Sequence, residues 1–160
     1  MLLASAACLT PALAQEPLRY NLLRNTFTGK DRCLANLPRA NGRQLAMAAC
    51  ANDAGQHWHL EVGNGSNTVI VHSASSGPRM CLDIVNDGRN NQLTMSECGN
   101  YSGQAWHLEK TSTPGMLRLK TDFTGQHKCL DVVNDGVNNE LTMASCDNVS
   151  GQFWSVTALR

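Results

Sequence analysis

At 160 residues the chain suits one domain and leaves no room for a catalytic domain with a separate binding module. Thirteen basic and thirteen acidic side chains cancel to a formal charge of zero, only 16% of positions are charged, and no Lys/Arg cluster forms, which excludes the field a nucleic-acid backbone requires. Aromatics are 5% of the chain while 13 glycines accompany many Asn and Asp residues, a turn-forming composition that argues against a helical bundle or coiled coil.

The first fourteen residues, MLLASAACLTPALA, carry no charge and end in Ala12-Leu13-Ala14, the small-x-small pattern cut by a signal peptidase. Residues 1–14 therefore read as a secretory signal, N-terminally truncated because a basic leading segment is missing, and the mature chain is expected to be secreted or periplasmic. Cys8 lies within it, but Ser5-Ala6-Ala7 lacks the large aliphatic residue of a lipoprotein cleavage site, so lipid anchoring is the lesser reading. No other apolar run approaches the roughly 20 residues needed to span a bilayer. No transmembrane segment is expected, and residues 15–160 read as a single domain.

Six cysteines remain, and their spacing organises everything downstream. Cys33, Cys81 and Cys129 follow one another by 48 residues, as do Cys50, Cys98 and Cys146, and each period holds two cysteines 17 apart. Threefold repetition selects the pairing that treats each repeat alike, namely Cys33–Cys50, Cys81–Cys98 and Cys129–Cys146. Each bridge closes a loop worth about 3 kcal/mol in the chain-entropy account. A structural zinc site is disfavoured, since no two of these cysteines have the two-to-four-residue spacing such sites use.

The same step carries the rest of the repeat. Gln56-His57-Trp58, Gln104-Ala105-Trp106 and Gln152-Phe153-Trp154 account for all three tryptophans, each preceded by a glycine, while Gly29, Gly77 and Gly125 stand four residues before the first cysteines. Leu45, Leu93 and Leu141 alternate with Met47, Met95 and Met143, a period of two that marks strands. Turns such as Asn86-Asp87-Gly88 and Asn134-Asp135-Gly136 separate them. Each repeat then holds four short strands: before the glycine, through Cys-Leu, through Leu-x-Met and through Gln-x-Trp. Repeats of about 18–65, 66–113 and 114–160 give a dozen strands, which close most economically into a threefold all-β body with the tryptophans around its axis.

Three Cys-Leu-(Asp) … Gln-x-Trp repeats resemble the ricin B-type lectins, over roughly residues 18–160. The resemblance implies a β-trefoil of three pseudo-symmetric four-stranded repeats, no catalysis, no cofactor, and up to three shallow sugar sites. It also implies that the acidic residue two after the first cysteine accepts sugar hydroxyls. Asp83 and Asp131 stand there, whereas repeat one has Ala35, which offers no acceptor, so repeat one is expected to be inactive. Repeats two and three are near copies, CLDIVNDGRNNQLTM against CLDVVNDGVNNELTM.

Around these aspartates the candidate ligand contacts are Asn86, Asn91, Thr94, Tyr101 and Gln104 in repeat two, and Asn134, Asn139, Thr142 and Gln152 in repeat three. Because the glutamines persist where the carboxylate is lost, their first role is a buried amide satisfying backbone groups, with sugar contact secondary. Two departures from the lectin pattern count against a strong galactose site. The position two before the second cysteine, aromatic in many members, holds Ala48, Ser96 and Ala144, and the residue before the glutamine is glycine rather than asparagine. Without a stacking ring a single site is expected to bind with a dissociation constant nearer about 1 mM than 1 μM.

Other chemistry finds no constellation. Asp83, Asn86 and Asp87 lack the acidic density of a calcium loop, and His57 and His59 share a strand face without a third ligand. No Gly-x-Ser-x-Gly or His-Glu-x-x-His motif occurs, and carboxylates in separate repeats lie beyond the roughly 5–10 Å that glycosidases use, so no enzymatic activity is expected. The competing expectation is a non-catalytic protein-interaction or toxin-targeting subunit that uses loops instead of sugar pockets, with an unknown toxin or enzyme partner.

Overall fold

A computed structural model describes residues 17–40 and 42–159; the expected signal segment and Cys8 lie outside the described residues. Twelve strands follow in order: β1 (Asn21–Asn25), β2 (Arg32–Arg39), β3 (Gly42–Ala49), β4 (Trp58–Val62), β5 (Val69–Ser73), β6 (Met80–Ile84), β7 (Leu93–Glu97), β8 (Trp106–Lys110), β9 (Leu117–Thr121), β10 (Lys128–Val132), β11 (Leu141–Ser145) and β12 (Trp154–Ala158). The fold is a β-trefoil. Strands β1, β4, β5, β8, β9 and β12 pair in a ring that β12 and β1 close, leaving no free edge in the barrel. The remaining six form the hairpins β2–β3, β6–β7 and β10–β11, which touch one another over one end of the barrel.

The apolar alternation drives this arrangement, because inward positions of every strand meet at one core. Trp58, Trp106 and Trp154 are fully buried with Leu34, Leu82 and Leu130. Each indole N–H donates to the leucine carbonyl 24 residues upstream at 2.9 Å, joining a barrel strand to its own hairpin three times over. A buried indole needs such an acceptor, and here the fold supplies it identically in each repeat. Neighbouring repeats are stitched by backbone: Met47 N–H donates to Asn139 O at 2.8 Å and Met143 N–H to Asn91 O at 2.9 Å.

The three disulfides join Cys33–Cys50, Cys81–Cys98 and Cys129–Cys146, one per repeat, with Cα separations of 5.0, 5.1 and 5.0 Å. Gly77 and Gly125 turn the chain ahead of the first cysteine with φ of 78° and 77°, a conformation that favours glycine. One element differs from expectation. The strand expected through Gln-x-Trp begins at the tryptophan, and each glutamine ends a short 3-10 turn, Ala54–Gln56, Ser102–Gln104 and Ser150–Gln152. The turn lets the amide reach back along its own chain, which an extended backbone would carry it away from.

Replacing Trp106 by Phe deprives the Leu82 carbonyl of its indole donor and leaves a void. The expected cost is about 2–4 kcal/mol, read as a lowered thermal midpoint; an unchanged midpoint would contradict the role given to this bond.

Candidate functional site

The glutamine amide is the base of the site. In every repeat its Oε1 accepts the N–H five residues upstream, from Ala51, Gly99 and Asp147, at 2.8–2.9 Å. Its Nε2 donates to the carbonyl seven residues upstream, of Ala49, Glu97 and Ser145, at 2.8–3.0 Å. In repeats two and three the same Nε2 also donates to an aspartate: Gln104 to Asp83 Oδ2 and Gln152 to Asp131 Oδ2, each at 2.9 Å. Gln104 and Gln152 are 0% and 1% exposed, and their amides are turned toward backbone groups and the carboxylate.

Each aspartate is half-buried and anchored twice more or once more. Asp83 Oδ1 accepts Ile84 N–H at 2.7 Å, and its Oδ2 also accepts the Ser96 hydroxyl at 2.6 Å. Asp131 Oδ1 accepts Val132 N–H at 2.8 Å, and Ala144 stands where Ser96 would add a bond. With about two lone pairs per carboxylate oxygen, Asp83 keeps one acceptor position on Oδ1, whereas Asp131 keeps one on each oxygen. The glycine before each glutamine is required by this placement. A Cβ on Gly103 would lie 2.2 Å from Asp83 Oδ1, and one on Gly151 would lie 2.1 Å from Asp131 Oδ1. An asparagine there would evict the carboxylate from its present position.

Above each aspartate opens a hollow. In repeat two it measures about 330 Å³ and is lined by Asp83, Asn86, Tyr101 and, from β9's end in the next repeat, Phe123. In repeat three it measures about 490 Å³, with Asp131, Asn134, Thr142, Val149 and Phe27. Tyr101 is 63% exposed and its ring lies over Gly99 at the rim. Each hollow thus has an aromatic side chain from the following repeat in its wall, where no ring stands beside the second cysteine; both phenylalanines are half-buried and also pack against the core. Phe27 and Phe123 lie two periods apart with Ser75 midway, a spacing that could have disclosed them.

Besides the two buried glutamines, three further expected contacts do not line these hollows. Asn91 and Asn139 sit where hairpins of neighbouring repeats meet, and their carbonyls hold Met143 and Met47. Thr94, although paired across strands with Asp83, lines a separate depression between the hairpins. These residues lie close in sequence to the aspartates, but the hairpin turn carries them to the repeat junction. Asp87 does not converge with Asp83 either, because its Oδ1 accepts Arg89 and Asn90 N–H groups within its own turn.

Repeat one is built differently. Ala35 replaces the acid and is fully buried, and Ser75 takes the place of the phenylalanine. Arg43 Nη2 donates to Asn36 O at 2.6 Å and to Ser75 Oγ at 2.7 Å, laying a guanidinium across the corresponding position.

The sequence matches a family model for the ricin-type beta-trefoil lectin domain over residues 18–106 and 67–159. No curated protein matches it. Among solved structures it is similar in fold to the designed 3-fold symmetric protein ThreeFoil, at 20% identity with a TM-score of 0.74, covering 88% of this chain and 99% of that one. A mosquitocidal holotoxin gives 16% identity and a TM-score of 0.77, with 94% of this chain matching only 18% of the toxin. A lectin from Polyporus squamosus gives 14% identity and a TM-score of 0.71, covering 89% and 50% of the two chains.

Gly103→Ala is expected to displace Asp83 and lower the thermal midpoint, at a cost of about 1–3 kcal/mol from the broken carboxylate bonds; a variant as stable as the parent with Asp83 unmoved would contradict the packing argument. In the turns, backbone N–H bonds from Asn90 and Asn138 hold the Asp87 and Asp135 carboxyls below the ordinary 3.8. A lowered folded value means the turn bonds contribute fully above the unfolded value and are lost as pH falls through the folded one. Carboxyl-carbon NMR titrations should give midpoints under 3.8 for both residues, and midpoints at or above it would refute the bonds.

Proposed function

This chain belongs to the ricin-type beta-trefoil lectin domain family, and from that premise we propose that it is an exported, non-catalytic carbohydrate-binding protein that takes sugar hydroxyls in repeats two and three while repeat one is closed. The observation that carries the reading is the pairing of an anchored carboxylate having unused acceptor capacity with a phenylalanine in one hollow, found twice and absent from repeat one. A carboxylate accepts hydroxyl protons through charge-assisted bonds, and an aromatic face packs against the C–H face of a sugar ring. Neither group alone discriminates a sugar from water. Together they supply orientation and a desolvated contact, and two such sites on one body supply avidity where each is individually weak. The three disulfides support an oxidising compartment. The Polyporus squamosus lectin is described bound to Neu5Acα2-6Galβ1-4GlcNAc, which makes galactose-containing glycans the first ligands to test.

Alanine is the cleaner replacement for the aspartates, because Gln56 shows that the amide keeps both its backbone bonds beside Ala35. Asparagine would instead point an N–H₂ group at another donor, either Gln104 Nε2 or Ile84 N–H. Asp83→Ala with Asp131→Ala should abolish retention on an immobilised galactoside while the chain stays folded, with a lowered thermal midpoint from the lost carboxylate bonds. Retention by the folded double variant would overturn the assignment. Ser96→Ala should strengthen binding in repeat two, measured calorimetrically in an Asp131→Ala background, by releasing the second lone pair on Asp83 Oδ2; weaker binding would show that the Ser96 bond matters more for orientation than for occupancy.

A further inference from the structure

The three disulfides share a sequence pattern but not their surroundings. Beside Cys81–Cys98 stands His72 on β5, with Nδ1 at 3.8 Å from the Sγ of each cysteine. One period away on either side, the matching positions hold Arg24 and Lys120, which offer no imidazole. His72 Nδ1 and the two sulfurs all lie within 4.8 Å of one another, and His72 and Cys81 are buried. The other ring nitrogen, Nε2, has Glu61 Oε2 at 3.2 Å.

We propose that this cluster is a latent transition-metal site of the zinc class, formed when the Cys81–Cys98 bridge opens, with Cys81 Sγ, Cys98 Sγ and His72 Nδ1 as ligands and solvent at the fourth position. The distances fit. In a tetrahedral zinc site with bonds of about 2.3 Å to sulfur and about 2.0–2.1 Å to nitrogen, the nitrogen-to-sulfur edge is about 3.6 Å. His72 already stands at 3.8 Å from both sulfurs, so the imidazole needs almost no movement. The sulfurs must part to about 3.8 Å, a displacement that rotation about the two Cα–Cβ bonds can supply.

Glu61 stands beside the other ring nitrogen. A ligating histidine commonly donates its second N–H to a carboxylate, which fixes the tautomer that leaves the other nitrogen's lone pair for the metal. Glu61 Oε2 lies 3.2 Å from Nε2 without hydrogen-bond alignment, so a small rotation of the glutamate would be needed to bring it into that position. The cost is the contact between His72 Nδ1 and Met80 O at 3.2 Å, which ligation would replace. A metal there would pin the same two positions, 17 residues apart, that the disulfide pins, and so keep β6 and β7 together beneath Asp83. The loop stays closed in either redox state, but only in repeat two.

The chemistry balances with a phosphine reductant. Phosphorus supplies two electrons to the S–S bond and takes oxygen from water as a phosphine oxide, and the two protons of that water go to the sulfurs. The metal then displaces both thiol protons to solvent.

The test uses the full chain, reduced with a water-soluble phosphine and titrated with Co²⁺ as a spectroscopic substitute for zinc. Tetrahedral d–d bands with a thiolate charge-transfer band should saturate at one equivalent and vanish when zinc is added. His72→Arg, which installs the residue found in repeat one, should weaken cobalt binding at least tenfold while the oxidised variant keeps its thermal midpoint. Zinc should raise the thermal midpoint of the reduced parent and leave that of the reduced variant unchanged. Absence of the bands, including absence because the reduced chain unfolds, would overturn the proposal. So would saturation at several equivalents or equal binding by the variant, since either would assign the metal to thiols without the imidazole.

Discussion

The amide of one glutamine per repeat joins the stability of this trefoil to its site. It is bound at both ends to its own upstream backbone, so its orientation is fixed before any acid is present. Repeat one demonstrates this, with the Gln56 amide bound to backbone at both its oxygen and its nitrogen where Ala35 replaces the acid. In repeats two and three a carboxylate is added to a donor that is already aimed, so it is held in place without reorganising its surroundings. The buried tryptophan two residues later secures the same turn to the hairpin that carries the acid.

Symmetry is retained where the fold needs it and broken where ligands would meet the protein. The tryptophans, glutamines, leucines and disulfides recur in all three repeats, because each repeat buries its apolar face only against the other two. The aspartate and the phenylalanine are missing together from the junction that Arg43 covers. Their joint loss agrees with the shared ligand role proposed for them, since the architecture accommodates their absence. Even the two remaining hollows differ, by the Ser96 hydroxyl on Asp83 and by Tyr101 against Val149 at the rim.

The period of 48 residues made the fold legible. Disulfides, indole hydrogen bonds and strand alternation act within a repeat and leave fixed sequence spacings. The hollows were half legible. Asp83 and Asp131 could be found from within their repeats, but each site is completed by a ring from the following repeat, so a search confined to one repeat meets only Ala48, Ser96 and Ala144. Asn91 and Asn139 misled for a related reason. A polar residue beside a turn resembles a ligand contact until the chain is folded and its carbonyl meets a neighbouring hairpin. His72 was hidden in the same way, since nine residues separate it from Cys81 in sequence and only the β5–β6 approach brings them together.

The most direct measurement is an amide NMR titration of the full chain with a soluble galactoside. The account predicts two groups of shifting resonances that titrate together with their own rings and acids: one around Asp83, Tyr101 and Phe123, the other around Asp131, Val149 and Phe27, with Ala35, Asn36 and Arg43 unmoved. Shifts centred on the repeat-one hairpin, or shifts at the aspartates with both phenylalanines silent, would contradict it.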